Sequence, residues 1–183
     1  MEDVNDLVDV VFSGLASLVV DEVTDEGEFI RVRARTRDEL VQCPVCGQPT
    51  GRVHGIHQRT IADVPADGRR VVVSVQVRRL VCPVLGCHRQ TFREQVPGLI
   101  ERYQRRTCRL ADQLGQVVKE LAGRAGARLS RVLAVAISRS TALRLLAHLP
   151  LPVVRVPRVL GVDDFALKRR HRYATVLIEW CAS

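Results

Sequence analysis

The chain has 183 residues, 46% of them hydrophobic, with a formal net charge of +8 and a pI of about 9.8. Its length suits one ordinary domain or two or three small ones. No apolar run is long enough to span a bilayer, and the acidic start (Glu2, Asp3, Asp6) is unlike a secretion signal, so a reducing, cytoplasmic setting is expected.

The charge is unevenly spread. Residues 1–39 hold eleven acids and four arginines, whereas residues 40–183 hold twenty-four basic and nine acidic residues, and the only lysines are Lys119 and Lys168. Arginine suits phosphate backbones and base edges, although an arginine-rich solvated surface has the same composition. Residues 4–18 carry Val4, Leu7, Val8, Val11, Phe12 and Leu15 at helical spacing, which predicts a short helix. Val19–Val23 and Phe29–Arg35, on either side of a polar turn, predict a β-hairpin. Its second strand alternates Ile30, Val32 and Ala34 with Arg31, Arg33 and Arg35, giving an apolar face and a cationic one.

Four cysteines organise the next stretch of chain: Cys43-Pro44-Val45-Cys46 and, after a long insert, Cys82-Pro83-Val84-Leu85-Gly86-Cys87. Each spacing lets a tight turn aim two sulfurs at one point, and Gly47 supplies a residue tolerant of positive φ after the first pair. Two such turns make a tetrahedral thiolate cage, so structural Zn²⁺ is expected at Cys43, Cys46, Cys82 and Cys87 rather than a disulfide or four buried thiols. His54, His57 and His88 could each ligate a metal, but four cysteines already fill the tetrahedron, so each is read as a surface or hydrogen-bonding histidine, and Cys108 and Cys181 as plain thiols. The turn Pro65-Ala66-Asp67-Gly68 leads into a long strand with Val71, Val73, Val75 and Val77 on one face and Val72, Ser74, Gln76 and Arg78 on the other. That strand delivers the second cysteine turn to the first, giving a zinc-ribbon-like β module over residues 19–92.

Pro97-Gly98 marks a boundary, after which Leu99, Tyr103, Leu110, Leu114, Val117, Val118 and Leu121 form a helical stripe whose first half is crowded by Arg102, Arg105, Arg106 and Arg109. Gly123 ends or interrupts it. A second helix is expected over Arg124–Leu133, a short turn over Ala134–Ile137, and a third helix over Arg139–Leu149, with Ser138 as its N-cap and Pro150 as its stop. A helix, a short turn and a second helix suggest a helix-turn-helix, with Arg139, Ser140, Thr141 and Arg144 as candidate contacts to double-stranded DNA. An ordinary helical bundle with charged outer faces has the same periodicity. Residues 150–158 read as a proline-studded linker. Two strands come next, Val159–Ala166 and Tyr173–Trp180, joined by the basic turn Lys168–Arg172. Asp163-Asp164 either ends the first strand or holds a divalent metal on it, since acids are depleted in strands.

In this order the parts resemble the ISL-three family of bacterial insertion-sequence transposases. Cys43-x-x-Cys46, Arg78-Arg79-Leu80-Val81-Cys82 and Cys82-x4-Cys87 with Phe92 resemble its zinc finger. Ala122–Leu129 and Ser138–Arg144 resemble its helix-turn-helix, which adds Arg124 and Arg128 to the candidate DNA contacts. Gly161-Val162-Asp163-Asp164-Phe165-Ala166 and Tyr173–Leu177 resemble the opening hairpin of its catalytic domain, where this chain departs by having Arg170 and Ala174 in place of glycine.

The resemblance implies an RNase-H-like core with three acidic residues of the DDE type, Asp163 being the first. The other two have no match within residues 1–183. The expected fold is therefore α+β and multi-domain: a hairpin and zinc-binding module (1–96), a helix-turn-helix domain (97–150), a linker (151–158) and a truncated start of the catalytic domain (159–183). The expected function is binding of terminal-inverted-repeat DNA without strand cleavage, with Mg²⁺ needed only by a complete catalytic domain. The hairpin at 159–183 is expected to be disordered or to self-associate. The alternative is a stand-alone zinc-ribbon and helix-turn-helix transcriptional regulator, which would have no use for the acid-bearing strands after residue 150.

Overall fold

Alternation in the valine-rich stretch sets the architecture. In the computed structural model, which describes residues 8, 10–150, 160–168 and 172–179, Val71, Val73, Val75 and Val77 all point to one side of a long strand and are each at most 2% exposed. The chain divides into two units, Met1–Leu149 and Pro150–Ser183.

In the first unit, strands β1 (Leu18–Asp25), β2 (Phe29–Thr36), β5 (Val53–Ala66) and β6 (Arg69–Val81) form a sheet in the order β1-β2-β6-β5, and β7 (Thr91–Arg93) pairs with the end of β6. The expected β1–β2 hairpin is present, with a bulge between Val20 and Glu22. Strand β2 runs parallel to β6 in a register that sets Ile30, Val32 and Ala34 beside Val71, Val73 and Val75. Both apolar faces therefore fall on the same side of the sheet, as the period of two requires. Phe12 and Leu15 from a short N-terminal turn, and Val96, Leu99 and Ile100 from the segment after β7, join this core. The β5–β6 hairpin closes through Asp67 and Gly68, both at positive φ (51° and 68°), as a two-residue primed turn needs. Of the helix expected over residues 4–18, residues 4–7 and 9 lie outside the described residues; Val8, Val10 and Val11 are α-helical, and Ser13–Leu15 then tightens into a 3₁₀ turn.

The helical part departs from the expected stripe at its start. Helix α1 spans Cys108–Val132, and α2 spans Arg139–His148. Leu99 and Ile100 do not belong to α1 but fill the sheet core. Tyr103 is 79% exposed and sits at φ 65° in a turn. The reason is pairing with a strand distant in sequence. Ala62 of β5 receives the segment through two backbone bonds, Ala62 N–H to the Arg105 carbonyl and Thr107 N–H to the Ala62 carbonyl, both 2.9 Å. Thr107 then caps α1 by accepting from the Leu110 N–H at 3.3 Å.

The expected interruption near Gly123 is found one residue earlier, at Ala122, whose φ of 52° and ψ of −165° are not helical. Gly123 serves a different purpose. A Cβ there would lie 3.1 Å from the Leu143 side chain of α2, so its bareness lets the helices approach closely. Ser138 caps α2 as expected, accepting from the Thr141 N–H at 3.1 Å. Leu110, Leu114, Val118, Ile137 and Ala142 form the helical core, and Ala62 and Val64 of β5 pack against it.

In the second unit, β8 (Leu160–Lys168) pairs antiparallel with β9 (Arg172–Glu179). The linker expected over 151–158, most of the basic turn (residues 169–171) and the last residues, including Trp180 and Cys181, lie outside the described residues.

Candidate functional site

Two small hairpins built on the same plan hold the four cysteines. Strands β3 (Val41–Gln42) and β4 (Pro49–Thr50) pair, and Cys43 comes directly after β3. The Cys43 N–H donates to the Gln48 carbonyl and the Gly47 N–H to the Cys43 carbonyl, each 2.9 Å, with Gly47 at φ 72°. The second turn repeats this between β6 and β7: the Cys82 N–H donates to the Gln90 carbonyl at 2.9 Å, and Gly86 takes φ 87°. Thr50 ties the hairpins together, its hydroxyl donating to the Val81 carbonyl at 2.9 Å. Leu80 and Phe92 floor the site beside Cys43 and Cys82.

The sulfurs of Cys43, Cys46, Cys82 and Cys87 all lie within 4.8 Å of one another. Cys46 and Cys82 are 3.5 Å apart and Cys43 and Cys87 are 3.9 Å apart, so none is disulfide-bonded. A tetrahedron with zinc–sulfur bonds of about 2.3 Å has sulfur–sulfur edges of about 3.8 Å, which these separations fit. Backbone N–H groups of Cys46 and Val45 draw the Cys43 thiol down to about 6. At Cys82 the Val84 N–H pulls the same way, but burial and the other three sulfurs outweigh it and push the thiol up to about 12. Four thiols crowded this closely cannot all ionise alone, whereas a divalent cation at the centre stabilises all four as thiolates. His54, His57 and His88 are exposed and stand outside the cysteine group. Cys108 is a free, partly buried thiol.

The other predicted residues lie on the helices and the second unit. Arg139, Ser140 and Arg144 are exposed along the start of α2, with Thr141 partly covered. Ser140 and Thr141 are drawn into the cap, their hydroxyls 2.9 and 3.0 Å from the Ser138 hydroxyl. Arg124 and Arg128 are exposed on α1 after the break. Asp163 and Asp164 lie inside β8, which continues to Lys168, so they do not end the strand. Both are exposed, and the Thr175 hydroxyl donates to Asp164 at 2.7 Å.

Two buried polar groupings go beyond the motifs of the sequence. Arg78 donates two hydrogen bonds to Glu94, at 2.9 and 2.8 Å, and a third to the Glu39 carbonyl, which closes the ribbon behind the cysteines. Asp63, 2% exposed, receives the Thr107 hydroxyl at 2.7 Å and both arms of the Arg109 guanidinium, pinning the start of α1 to β5. A lone aspartate in an apolar strand is the signal for the second; nothing in the local pattern points to the first. The arginine row of β2 is also accounted for. Arg31 pairs with Glu26, Arg33 with Glu22, and Arg35 with Asp21, so the acidic N-terminal part neutralises it.

Residues 39–88 match the family model described as the zinc-finger of transposase IS204/IS1001/IS1096/IS1165. Over 155 residues the chain is 32% identical to the transposase for insertion sequence element IS1001 from Bordetella parapertussis, an alignment covering 85% of this chain and 37% of that protein. No solved structure matches. A cage of four close cysteines on a zinc-ribbon sequence supports a structural zinc. Together the zinc-finger model and this relative support an ISL-three-family insertion-sequence transposase, the chain spanning 37% of the relative's length.

Proposed function

We propose that residues 1–183 are the DNA-recognition part of an insertion-sequence transposase and bind the terminal inverted repeats of the element as double-stranded DNA. One observation carries this reading. A capped helix, α2, presents exposed Arg139, Ser140 and Arg144 at its start, directly after a short turn from α1. Used as a helix-turn-helix, this pair lays α2 in the major groove, where arginine reads guanine edges. Arg124 and Arg128 then face the flanking phosphates. Zinc held by Cys43, Cys46, Cys82 and Cys87 is structural in this reading, because all four tetrahedral positions are filled by the protein.

The hairpin β8–β9 is read as the opening of an RNase-H-like catalytic core, with Asp163 as its first carboxylate. In a complete core three carboxylates, Asp163 among them, would hold two Mg²⁺ ions, which would supply activation of a water or 3′-hydroxyl and stabilisation of the leaving oxygen. A single carboxylate does not hold two ions, so residues 1–183 bind DNA without cutting it. The proposed domain limits are 1–96, 97–150 and 159–183. Fluorescence anisotropy on a terminal-repeat duplex against a scrambled one, with a subsequent Mg²⁺ incubation and nicking assay, tests the reading. The expected result is preferential binding and no nicks. Equal binding to both duplexes removes the end-recognition role, and Mg²⁺-dependent nicking removes the claim that these residues lack cleavage.

A further inference from the structure

We propose that a cationic groove between the cysteine turns and the start of α1 is a second DNA-contact surface, which tracks the sugar-phosphate backbone of the duplex engaged by α2. It rests on the DNA-binding reading above and extends it to residues that are not on the helices.

The groove encloses about 940 Å³ and draws arginines from five places in the chain: Arg59 on β5, Arg79 on β6, Arg89 after the second cysteine turn, Arg93 on β7, and Arg102 and Arg105 before α1. Among the described residues none of the six forms an ion pair. Of the two glutamates lining the groove, Glu94 is taken by Arg78, which leaves Glu101. On β2, by contrast, Arg31, Arg33 and Arg35 each have an acid within 3.0 Å. In the groove six arginines face one glutamate that no arginine already holds, so most of the positive charge is left uncancelled, as a polyanion-binding surface requires.

Several of these guanidiniums are held in place by neutral groups. Arg59 Nη2 donates to the Glu101 and Gln104 carbonyls at 3.2 and 2.8 Å. Arg79 donates through Nε and Nη2 to the Thr91 hydroxyl. Arg102 lies over the Tyr103 ring, 4.8 Å from its centre. A guanidinium has five N–H donors, so Arg59 and Arg79 keep donors free for an incoming anion. Side chains lining an open groove, with no helix or ribbon projecting from it, suit phosphates rather than base edges. The surface also leads towards α2. Arg105 lines the groove, Thr107 two residues later caps α1, and α1 packs against α2 through Gly123 and Leu143.

The test uses the full zinc-loaded chain carrying Arg89→Gln, Arg93→Gln, Arg102→Gln and Arg105→Gln. None of these four side chains makes a hydrogen bond among the described residues, so zinc content and circular dichroism should stay native. Affinity for terminal-repeat and scrambled duplexes is measured across a range of salt. The expected result is an equal fold-loss on both duplexes, an unchanged ratio between them, and a log–log salt slope shallower by about 3 to 4, since each phosphate contact contributes about 0.9. If the fourfold variant misfolds, the pairs Arg89→Gln/Arg93→Gln and Arg102→Gln/Arg105→Gln should each reduce the slope by about 2. A folded variant with the wild-type slope overturns the proposal, as does a loss confined to one of the two duplexes. If the unmodified chain binds neither duplex, the failure lies in the DNA-binding reading itself, and the groove falls with it.

Discussion

At the residue scale, the legible side chains are those whose role depends on local spacing. Cys43, Cys46, Cys82 and Cys87 announce themselves because each turn is closed by neighbours a few residues away, and the sheet only has to bring the two turns together. Removing one ligand should release the metal and unfold the ribbon, because metal binding and folding are one event. Elemental analysis of Cys82→Ala should therefore find essentially no zinc, and a full complement would remove Cys82 from the ligand set. The Arg78–Glu94 pair is not legible, because its partners meet across β6 and β7, sixteen positions apart. In isolation Arg78 reads as the polar face of a strand. With side chains only 10% and 8% exposed, the pair should behave as a buried ion pair. Glu94→Gln is expected to cost about 3 kcal/mol in denaturant unfolding by leaving a buried guanidinium underpaired, and Arg78→Met with Glu94→Leu to recover most of it. A loss below about 0.5 kcal/mol for the single change would mean that water reaches Arg78.

At the element scale, strands and caps are plain in the sequence and one helix start is not. The alternation Ile30, Val32, Ala34 and Val71, Val73, Val75, Val77 has one physical solution, a sheet with one buried face. Ser138 ahead of α2 is likewise unambiguous. The stripe from Leu99 misleads because Leu99 and Ile100 are buried for another reason: they cover the sheet. The helix begins where Thr107 can both cap it and reach Asp63, and that long-range pairing has no local signature. The β8–β9 hairpin has the opposite character, a clear pattern whose described apolar side chains are largely exposed. Val162, Phe165, Leu177 and Ile178 are between 47% and 63% exposed, and two strands alone are marginal in water. Amide exchange on residues 1–183 should be fast from Gly161 to Glu179 beside protected amides in β5 and β6. Strong, concentration-independent protection of the hairpin would mean that it is stable unaided, and protection that grows with concentration would mean that copies of the chain cover its edges.

At the scale of the whole molecule, the net charge of +8 hides a division of labour. Acids of the N-terminal part pair with the β2 arginines, so that edge of the sheet is close to neutral. The excess arginine collects beyond β5, around the groove and along the helices. Charge asymmetry between the ends of the chain is visible in composition, but which arginines are cancelled is not, since that depends on strand register. The proposed role stands or falls with α2 as the reader of DNA ends. The most direct measurement is the affinity ratio between terminal-repeat and scrambled duplexes for the unmodified chain and for Arg139→Ala with Arg144→Ala. The double variant is expected to lose discrimination, by about 1–3 kcal/mol for each lost base contact, while its affinity for scrambled DNA changes little. Equal loss on both duplexes would contradict this role, because Arg139 and Arg144 would then touch only phosphates and the reading helix would lie elsewhere.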